Sequence, residues 1–266
     1  MAAGEPGGDV AATAAAAHPK IAVMDLWKSF AGREVLRGIN LEIPAGESFV
    51  IVGGSGAGKS VLLKHFIGLI APERGHVIID GEDLTNCEPA HCLEIRRKFG
   101  MSFQEGALFD SMTVFENIAF PLRRHTRSSQ AEITARVREC LALVHLDRIE
   151  DKATSELSGG MRRRVGFARA IALQPEILLF DEPDTGLDPI TSAVIDAVIV
   201  EMREQLDVTM VTITHNMQSA FRIADRIAML RNGQITAVAQ PDAFRSLADP
   251  YVKKFLAGEP LEEEVA

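Results

Sequence analysis

The fold is decided by the stretch Phe49-Val50-Ile51-Val52-Gly53-Gly54-Ser55-Gly56-Ala57-Gly58-Lys59-Ser60. Its first four residues are apolar and predict a short buried strand. The apolar residues that follow the stretch recur at helical spacing: Val61, Leu62, Leu63, Phe66, Ile67 and Leu69. The chain is therefore predicted to pass from a strand into a helix through a loop rich in glycine.

This loop has the residue spacing of a phosphate-binding loop. In the pattern Gly53-x4-Gly58-Lys59-Ser60, backbone N–H groups cradle phosphates, the lysine reaches the β- and γ-phosphates, and the hydroxyl binds Mg²⁺. The free N–H groups at the start of the following helix add to anion binding. A glycine-rich turn without a ligand is the alternative, but chance alone would place this pattern in only roughly 1% of chains of this length. The predicted nucleotide-binding residues are Gly53, Gly54, Ser55, Gly56, Ala57, Gly58, Lys59 and Ser60.

Composition narrows the class of protein. No run approaches the ~18–20 consecutive apolar residues of a membrane span, so a role at a membrane requires a partner protein. With 37 acidic and 28 basic residues, the net charge of −9 argues against a phosphate-binding surface that spans a nucleic-acid duplex, although a local basic patch is still compatible with it. We expect no nucleic-acid partner. Three cysteines suit reduced thiols in the cytoplasm. A metal site at Cys87, His91 and Cys92 is disfavoured, because no second pair of ligands follows at a zinc-like spacing.

The first half of the chain divides into three predicted regions. Residues 1–19 are rich in Ala and Gly, lack the features of a signal peptide, and predict a disordered tail. Two strand-like runs, Ile21 to Phe30 and Ile39 to Ile43, predict an antiparallel sheet. Phe30 is a candidate to stack on an adenine ring, with a place in the core or at the sheet edge as the alternative and Trp27 as a substitute.

The region of about residues 106–160 is predicted to be an α-helical subdomain. Thr113 and Glu116 have the spacing of a helix capping box, and apolar residues continue helically to Val144. The basic run of residues 123–127 is interpreted as a solvated helix end, with a docking surface for a partner as the alternative. The three arginines at 162–164 are interpreted as a solvated helix face.

Three apolar runs each end in a polar residue. They deliver Gln104, the pair Asp181-Glu182, and His215. Because ligands bind at the carboxyl ends of strands in α/β sheets, these side chains are predicted to converge on one edge. We expect Gln104 to orient Mg²⁺ or the attacking water, Asp181 to hold Mg²⁺ through water, Glu182 to accept a proton from that water, and His215 to contact the γ-phosphate. A helix cap is the alternative role for Asp181, and a structural histidine is the alternative for His215.

A second glycine-rich helix start lies at Leu157-Ser158-Gly159-Gly160. Two glycines and a serine at a helix N-terminus suit anion binding, although an ordinary glycine-rich loop remains the alternative. Asp188 follows in a turn before the helix predicted from Ile190 to Leu206.

Taken in order, these motifs resemble the nucleotide-binding subunit of ATP-binding-cassette (ABC) transporters, over residues ~20–240. The resemblance implies an α/β fold: a phosphate-loop NTPase mixed sheet flanked by helices, with an antiparallel β subdomain and an α-helical subdomain. It implies a head-to-tail dimer of two identical chains that binds two ATP with Mg²⁺. Ser158, Gly159, Gly160 and Asp188 of each copy would complete the ATP site of the other copy. The same resemblance implies that residues 241–266 are a C-terminal extension of the ATPase domain.

Residues 103–109 and 112–123, together with Met161 and the run Asp188-Pro189-Ile190-Thr191, resemble the ATPases of Mla/Mce-type phospholipid transporters. That resemblance implies transport of a phospholipid or another hydrophobic substrate, for lipid homeostasis of the outer envelope. The implied partners are an integral-membrane permease, an MCE-domain lipid-binding subunit and a small cytoplasmic accessory subunit. The chain would then sit on the cytoplasmic side of the inner membrane, held there by the permease.

One departure from the family pattern is the pair Asp184-Thr185, which replaces the commoner Thr-Ser. We expect it to leave the turn intact and catalysis untouched. Two alternatives to transport carry the same motifs. The first is an ATPase that regulates a non-transport membrane complex, such as one that acts in cell division. Only the stretch that resembles the Mla/Mce-type ATPases argues against it. A soluble ABC ATPase would be expected to carry a coiled-coil insertion, tandem cassettes or a basic surface, and the sequence has none of these.

Overall fold

The computed structural model describes residues 18–259, apart from the side chain of Glu105. Residues 1–17 of the predicted disordered tail and residues 260–266 of the predicted extension lie outside the described residues. In chain order the strands are β1 (Ile21–Phe30), β2 (Arg33–Ile43), β3 (Ser48–Val52), β4 (Arg74–Ile79), β5 (Glu82–Asp83), β6 (Phe99–Ser102), β7 (Ile177–Asp181), β8 (Thr209–Thr214), β9 (Arg226–Arg231) and β10 (Gln234–Ala239). The helices are α1 (Lys59–Phe66), α2 (Pro89–Arg97), α3 (Val114–His125), α4 (Gln130–Leu143), α5 (Gly159–Ala170), α6 (Pro189–Gln205), α7 (Met217–Ile223), α8 (Pro241–Arg245) and α9 (Pro250–Ala257).

The larger sheet has six strands in the order β10-β9-β3-β8-β7-β6. Five of them run parallel, and β10 is antiparallel to β9. Every residue of β3, β7 and β8 is buried, as expected for parallel strands covered on both faces. The predicted mixed sheet flanked by helices is confirmed.

The smaller sheet has the order β2-β1-β4-β5 and is antiparallel throughout. Ala31 and Gly32 connect β1 to β2 with positive φ angles of 50° and 80°. The second strand begins at Arg33, six positions before the predicted start at Ile39, because its first residues, most of them not buried, pair with β1. A hydrophobic core around α1 joins the two sheets and positions the loop that precedes this helix.

Helices α3, α4 and α5 fall in and beside the region predicted to be a helical subdomain. The predicted capping box is confirmed, since Thr113 N–H donates to Glu116 Oε2 at 2.8 Å and Glu116 N–H donates to Thr113 Oγ1 at 3.2 Å. Residues 123–127 are exposed at the end of α3, in keeping with a solvated helix end. The predicted solvated face at residues 162–164 is wrong for Arg163, which is 5% exposed and hydrogen-bonded to backbone oxygens.

The expectation of reduced thiols is wrong for two of the three cysteines. Cys87 and Cys92 form a disulfide, because the first turn of α2 brings their Cα atoms to 5.5 Å. Cys140 is a buried free thiol whose pKa is raised to about 11 by burial. Within residues 18–259, none of the helices combines the length and apolar character needed to cross a membrane.

Candidate functional site

The register of the large sheet brings three strand ends to one edge. Val52, the last residue of β3, pairs with Thr214, the last residue of β8. Asp181 at the end of β7 pairs with Ile213 on the same neighbour. The residues that immediately follow these strands are therefore side by side: the phosphate loop, His215 and Glu182.

Lys59 lies at the base of the phosphate loop and is 5% exposed. Its Nζ atom donates to the backbone oxygens of Gly53 at 2.9 Å and Gly54 at 3.0 Å. The same atom is 3.6 Å from Glu182 Oε1. A buried ammonium thus faces the space enclosed by the loop, where it can neutralise phosphate charge.

Two glycines shape the loop. A Cβ atom on Gly53 would lie 2.2 Å from the backbone oxygen of Leu230, so no larger residue fits. Gly58 has a φ angle of 102° and immediately precedes α1. The intervening residues 54–57 turn the chain so that the loop opens beside the first turn of α1, whose free N–H groups favour anions.

Ser60 and Asp181 form the part of the site that suits a divalent cation. Ser60 Oγ donates to Asp181 Oδ1 at 3.1 Å. Burial raises the pKa of Asp181 despite this hydrogen bond, and the nearby charge of Glu182 adds to the increase. A buried carboxylate whose ionised form is disfavoured, next to a hydroxyl, fits Mg²⁺ because the cation would restore the balance of charge.

Glu182 occupies a left-handed backbone conformation with φ 46°, which turns its side chain towards the loop. Thr185 Oγ1 donates to Glu182 Oε2 at 2.9 Å, and His215 Nδ1 is 3.6 Å from the same oxygen. Burial opposes ionisation of Glu182, but the Thr185 hydroxyl, Lys59 and His215 outweigh it and lower the pKa. The carboxylate is therefore ionised near neutral pH and can accept a proton.

Arg163 supports this turn and was missed as a site residue. Its Nη1 atom donates to the backbone oxygen of Glu182 at 3.0 Å, and Nη2 bonds to the backbone oxygen of Thr185. A run of three arginines gives no sequence signal for which one is buried. Only the packing of α5 against the end of β7 distinguishes them.

Three further candidate residues, Gln104, Phe30 and Trp27, come from the segment after β6 and from β1. Gln104 is exposed, two positions beyond the end of β6. Phe30 is 45% exposed at the end of β1, with Lys28 Nζ 5.4 Å from its ring centre. Trp27 is held by its own Nε1–H bond to Asp25 at 2.8 Å, so it is less free to stack on a base than Phe30.

Ser158, Gly159 and Asp188 are exposed at helix starts. Ser158 caps α5 by accepting from Met161 N–H at 3.3 Å, and Asp188 caps α6 by accepting from two backbone N–H groups at 3.0 Å each. A Cβ atom on Gly160 would lie 2.7 Å from Thr191 Cγ2, so this position brings the two helix starts together. Ser158, Gly159 and Asp188 therefore form an exposed surface at the starts of α5 and α6.

The C-terminal helix contributes residues that the sequence did not assign to the site. A cavity of about 450 Å³ on the phosphate loop is lined by Gly54, Ser55, Glu182, His215, Phe255, Gly258 and Glu259. A second cavity of about 140 Å³, on the other side of the loop, includes Tyr251. Neither cavity is lined by residues 158–160. The sequence analysis assigned this helix only to a C-terminal extension of the ATPase domain.

Comparison with known proteins gives three findings. Residues 36–185 match a protein family described as "ABC transporter". The probable ribonucleotide transport ATP-binding protein Mkl of Mycobacterium tuberculosis is 45% identical over 238 residues. That alignment covers 90% of this chain but 66% of Mkl, so the chain spans slightly less than two thirds of this relative's length.

The intermembrane phospholipid transport system ATP-binding protein MlaF of Escherichia coli is 39% identical over 226 residues, covering 85% of this chain and 84% of MlaF. Among solved structures, the dimeric ATP-binding cassette MJ0796 bound to ADP and Pi superposes with a TM-score of 0.76 at 31% identity. It covers 83% of this chain and 98% of the cassette.

Proposed function

The chain belongs to the ABC transporter family, and on that premise we propose that it hydrolyses ATP to drive transport. The observation that carries the proposal is the convergence of Lys59, Glu182 and His215 on the phosphate loop, beside the pair Ser60–Asp181. This arrangement places a cation, a proton acceptor and a polar contact around the position of a terminal phosphate.

Binding rests on the loop. The backbone N–H groups of residues 53–58 and the ammonium of Lys59 surround the phosphates, and Lys59 exchanges its carbonyl partners for phosphate oxygens. Ser60 and Asp181 would hold Mg²⁺, with Gln104 as a further candidate ligand. When bound, the ion would neutralise charge on the phosphate oxygens.

Hydrolysis rests on Glu182. Its lowered pKa keeps the carboxylate ready to accept a proton from the attacking water, which it aligns with the γ-phosphate. His215 lies beside Oε2 of this carboxylate, whereas Lys59 lies beside Oε1. The imidazole donates to the γ-phosphate as negative charge develops in the transition state. Phe30 is the proposed adenine contact, which its exposed ring supports.

We assign the second half of each site to another copy of the chain. Ser158, Gly159 and Asp188 are exposed and lie apart from the cavities of their own phosphate loop. A head-to-tail dimer would bring them against the γ-phosphate held by the other copy. The dimeric state of the similar cassette with ADP and Pi supports this arrangement.

The proposed substrate is a phospholipid or another hydrophobic molecule, moved by a permease in the inner membrane. The names of the two relatives, Mkl and MlaF, point to different substrates, and the stretch after Gln104 favours the phospholipid transporter. In that stretch Phe109 and Phe120 are 42% and 41% exposed, with ring centres 5.0 Å apart. This apolar pair supports docking of the permease; an MCE-domain subunit and a small accessory subunit complete the proposed complex.

Purification from native membranes tests the assembly. The proposal predicts that a tagged chain recovers a permease and a lipid-binding subunit, and that the complex moves a labelled phospholipid between vesicles only with ATP. A matched sample carrying Glu182→Gln should recover the same proteins without transport. Recovery with ribosomes or DNA would contradict a role in transport. ATP-dependent uptake of a ribonucleotide instead of a lipid would contradict the proposed substrate.

A further inference from the structure

Asp184 is a buried acid with no role in the mechanism above. It lies two residues after Glu182, is 5% exposed, and stands where the family commonly has threonine. Its Oδ1 atom accepts from Thr214 Oγ1 at 3.0 Å, and Oδ2 accepts from Ser219 Oγ at 3.2 Å. One carboxylate thus receives hydroxyl groups from the strand before His215 and from the helix after it.

The hydrogen bond between Asp184 and Thr214 belongs to a chain of bonds that includes both sequence neighbours of His215, Thr214 and Asn216. Thr214 Oγ1 donates its proton to Asp184 and accepts the backbone N–H of Asn216 at 2.9 Å. Because Thr214 is fully buried, this chain of hydrogen bonds fixes the backbone on each side of His215. The imidazole itself is 53% exposed, so its direction depends largely on that backbone.

Asp184 also shares a turn with Glu182. Thr185, the next residue, donates to the Glu182 carboxylate at 2.9 Å, and Arg163 holds the backbone oxygens of Glu182 and Thr185. The turn that carries the proton acceptor and the strand end that carries His215 are therefore joined by one buried carboxylate.

We propose that Asp184 is a positioning residue that sets the placement of His215 relative to Glu182 and the γ-phosphate. The inference rests on the proposed function and revises the expectation that this departure from the family pattern leaves catalysis untouched. A carboxylate suits the task because it has two acceptor oxygens and no proton, so it can receive both hydroxyl groups at once. A threonine has a single side-chain oxygen, so it does not supply the two separate acceptor atoms that Thr214 and Ser219 contact.

A second buried acid supplies the matched control. Asp196 is 2% exposed, and its Oδ2 atom lies 3.0 Å from Ser219 Oγ and 3.0 Å from Arg222 Nη1. Asp196 therefore shares the Ser219 hydroxyl with Asp184 but has no bond to Thr214. Burial and the nearby Asp184 both raise the pKa of Asp196, and Asp196→Asn removes its charge while keeping the size of the side chain.

The test compares Asp184→Asn, Thr214→Val and Asp196→Asn in the intact complex. An amide at 184 keeps the shape but has only one acceptor oxygen, and valine at 214 removes the donor. We expect kcat for ATP hydrolysis to fall roughly ten- to hundredfold in the first two, the range that follows from displacing a catalytic group by about 1 Å. In these two variants KM for ATP should stay within about twofold, because ATP binding does not depend on the bond between Asp184 and Thr214. Asp196→Asn should keep nearly the parental kcat, because the position of His215 does not depend on Asp196.

A double-variant cycle with His215→Ala separates positioning from general damage. If Asp184 acts through His215, adding Asp184→Asn to His215→Ala should cause no further loss of kcat. The inference would be overturned if Asp184→Asn lowered kcat as much in His215→Ala as it does in the parent. Equal losses from Asp184→Asn and Asp196→Asn would overturn it as well. Either result would leave the proposed function intact. If His215→Ala alone hydrolysed ATP at the parental rate, the role proposed for His215 would be wrong, and this inference with it. Thr214→Val repeats the cycle should Asp184→Asn fail to fold.

Discussion

Lys59 Nζ and Glu182 Oε1 lie 3.6 Å apart at the phosphate loop, with side-chain exposures of 5% and 18%. Each charge compensates the other in a site that is largely shielded from water. The pair keeps Glu182 ionised, and it holds Lys59 where the phosphates of ATP would arrive. The proposed phosphate-binding group and the proposed proton acceptor are thus paired within one copy of the chain.

Lys59→Ala should weaken ATP binding itself. The ammonium makes charge-assisted hydrogen bonds, and losing bonds of that kind costs about 1.5–3 kcal/mol, or roughly ten- to a hundredfold in Kd. Calorimetric titration with ATP measures the change. Lys152→Ala, at an exposed position away from the loop, is the control. An unchanged Kd in Lys59→Ala would mean that this lysine does not contact the phosphates.

Glu182→Gln should abolish most hydrolysis while ATP still binds. The amide fills the same space but cannot accept the proton, and general bases contribute typically 10²–10⁴-fold to the rate. Release of phosphate in single-turnover experiments measures this step. A variant that hydrolysed ATP at the parental rate would show that another group is the base.

Asp181→Asn should stabilise the protein in the absence of nucleotide and metal. Burial raises the pKa of Asp181, so the parent loses stability as the pH rises through that pKa, and the variant lacks this loss. Thermal unfolding at pH 7 measures this effect, and Tm should be higher in the variant than in the parent. Mg²⁺-dependent hydrolysis should be lost in the same variant. A Tm for Asp181→Asn that is equal to or below that of the parent at pH 7 would contradict the electrostatic explanation.

Much of this site was predictable because its signals are local. The phosphate loop is one continuous stretch, and the residues at 181, 182 and 215 each follow an apolar run that folds as a buried parallel strand. The capping box at Thr113 and Glu116 also depends only on neighbouring residues.

The remaining features depend on contacts between distant segments. Arg163 is buried because α5 packs against the turn after β7, and its neighbours Arg162 and Arg164 carry the same side chain. The disulfide between Cys87 and Cys92 depends on where α2 begins. Asp184 is a plain surface-turn residue in the sequence and a buried hydrogen-bond acceptor in the fold.

Glu259→Gln should tighten ATP binding modestly. This acid lines the cavity on the phosphate loop beside the C-terminal end of α9, where the helix dipole is negative, so both oppose an anionic ligand. Removing one exposed charge is worth about 0.2–1 kcal/mol, so Kd should fall by a factor between about 1.4 and 5, and by less at high salt. Glu94→Gln, on the exposed side of α2, should leave Kd unchanged. Weaker binding in Glu259→Gln would mean that this side chain supports the ligand.

Each proposed ATP site combines residues from two copies of the chain, and mixing two inactive variants tests this arrangement most directly. Ser158→Arg should bind ATP as a monomer nearly as well as the parent does, yet hydrolyse none. Lys59→Ala should fail for lack of its own phosphate loop. In an equal mixture, mixed dimers contain one intact site, so hydrolysis should return to at most about a quarter of the parental rate. Parental hydrolysis by Ser158→Arg alone, or loss of ATP binding by its monomer, would contradict a site shared between two copies.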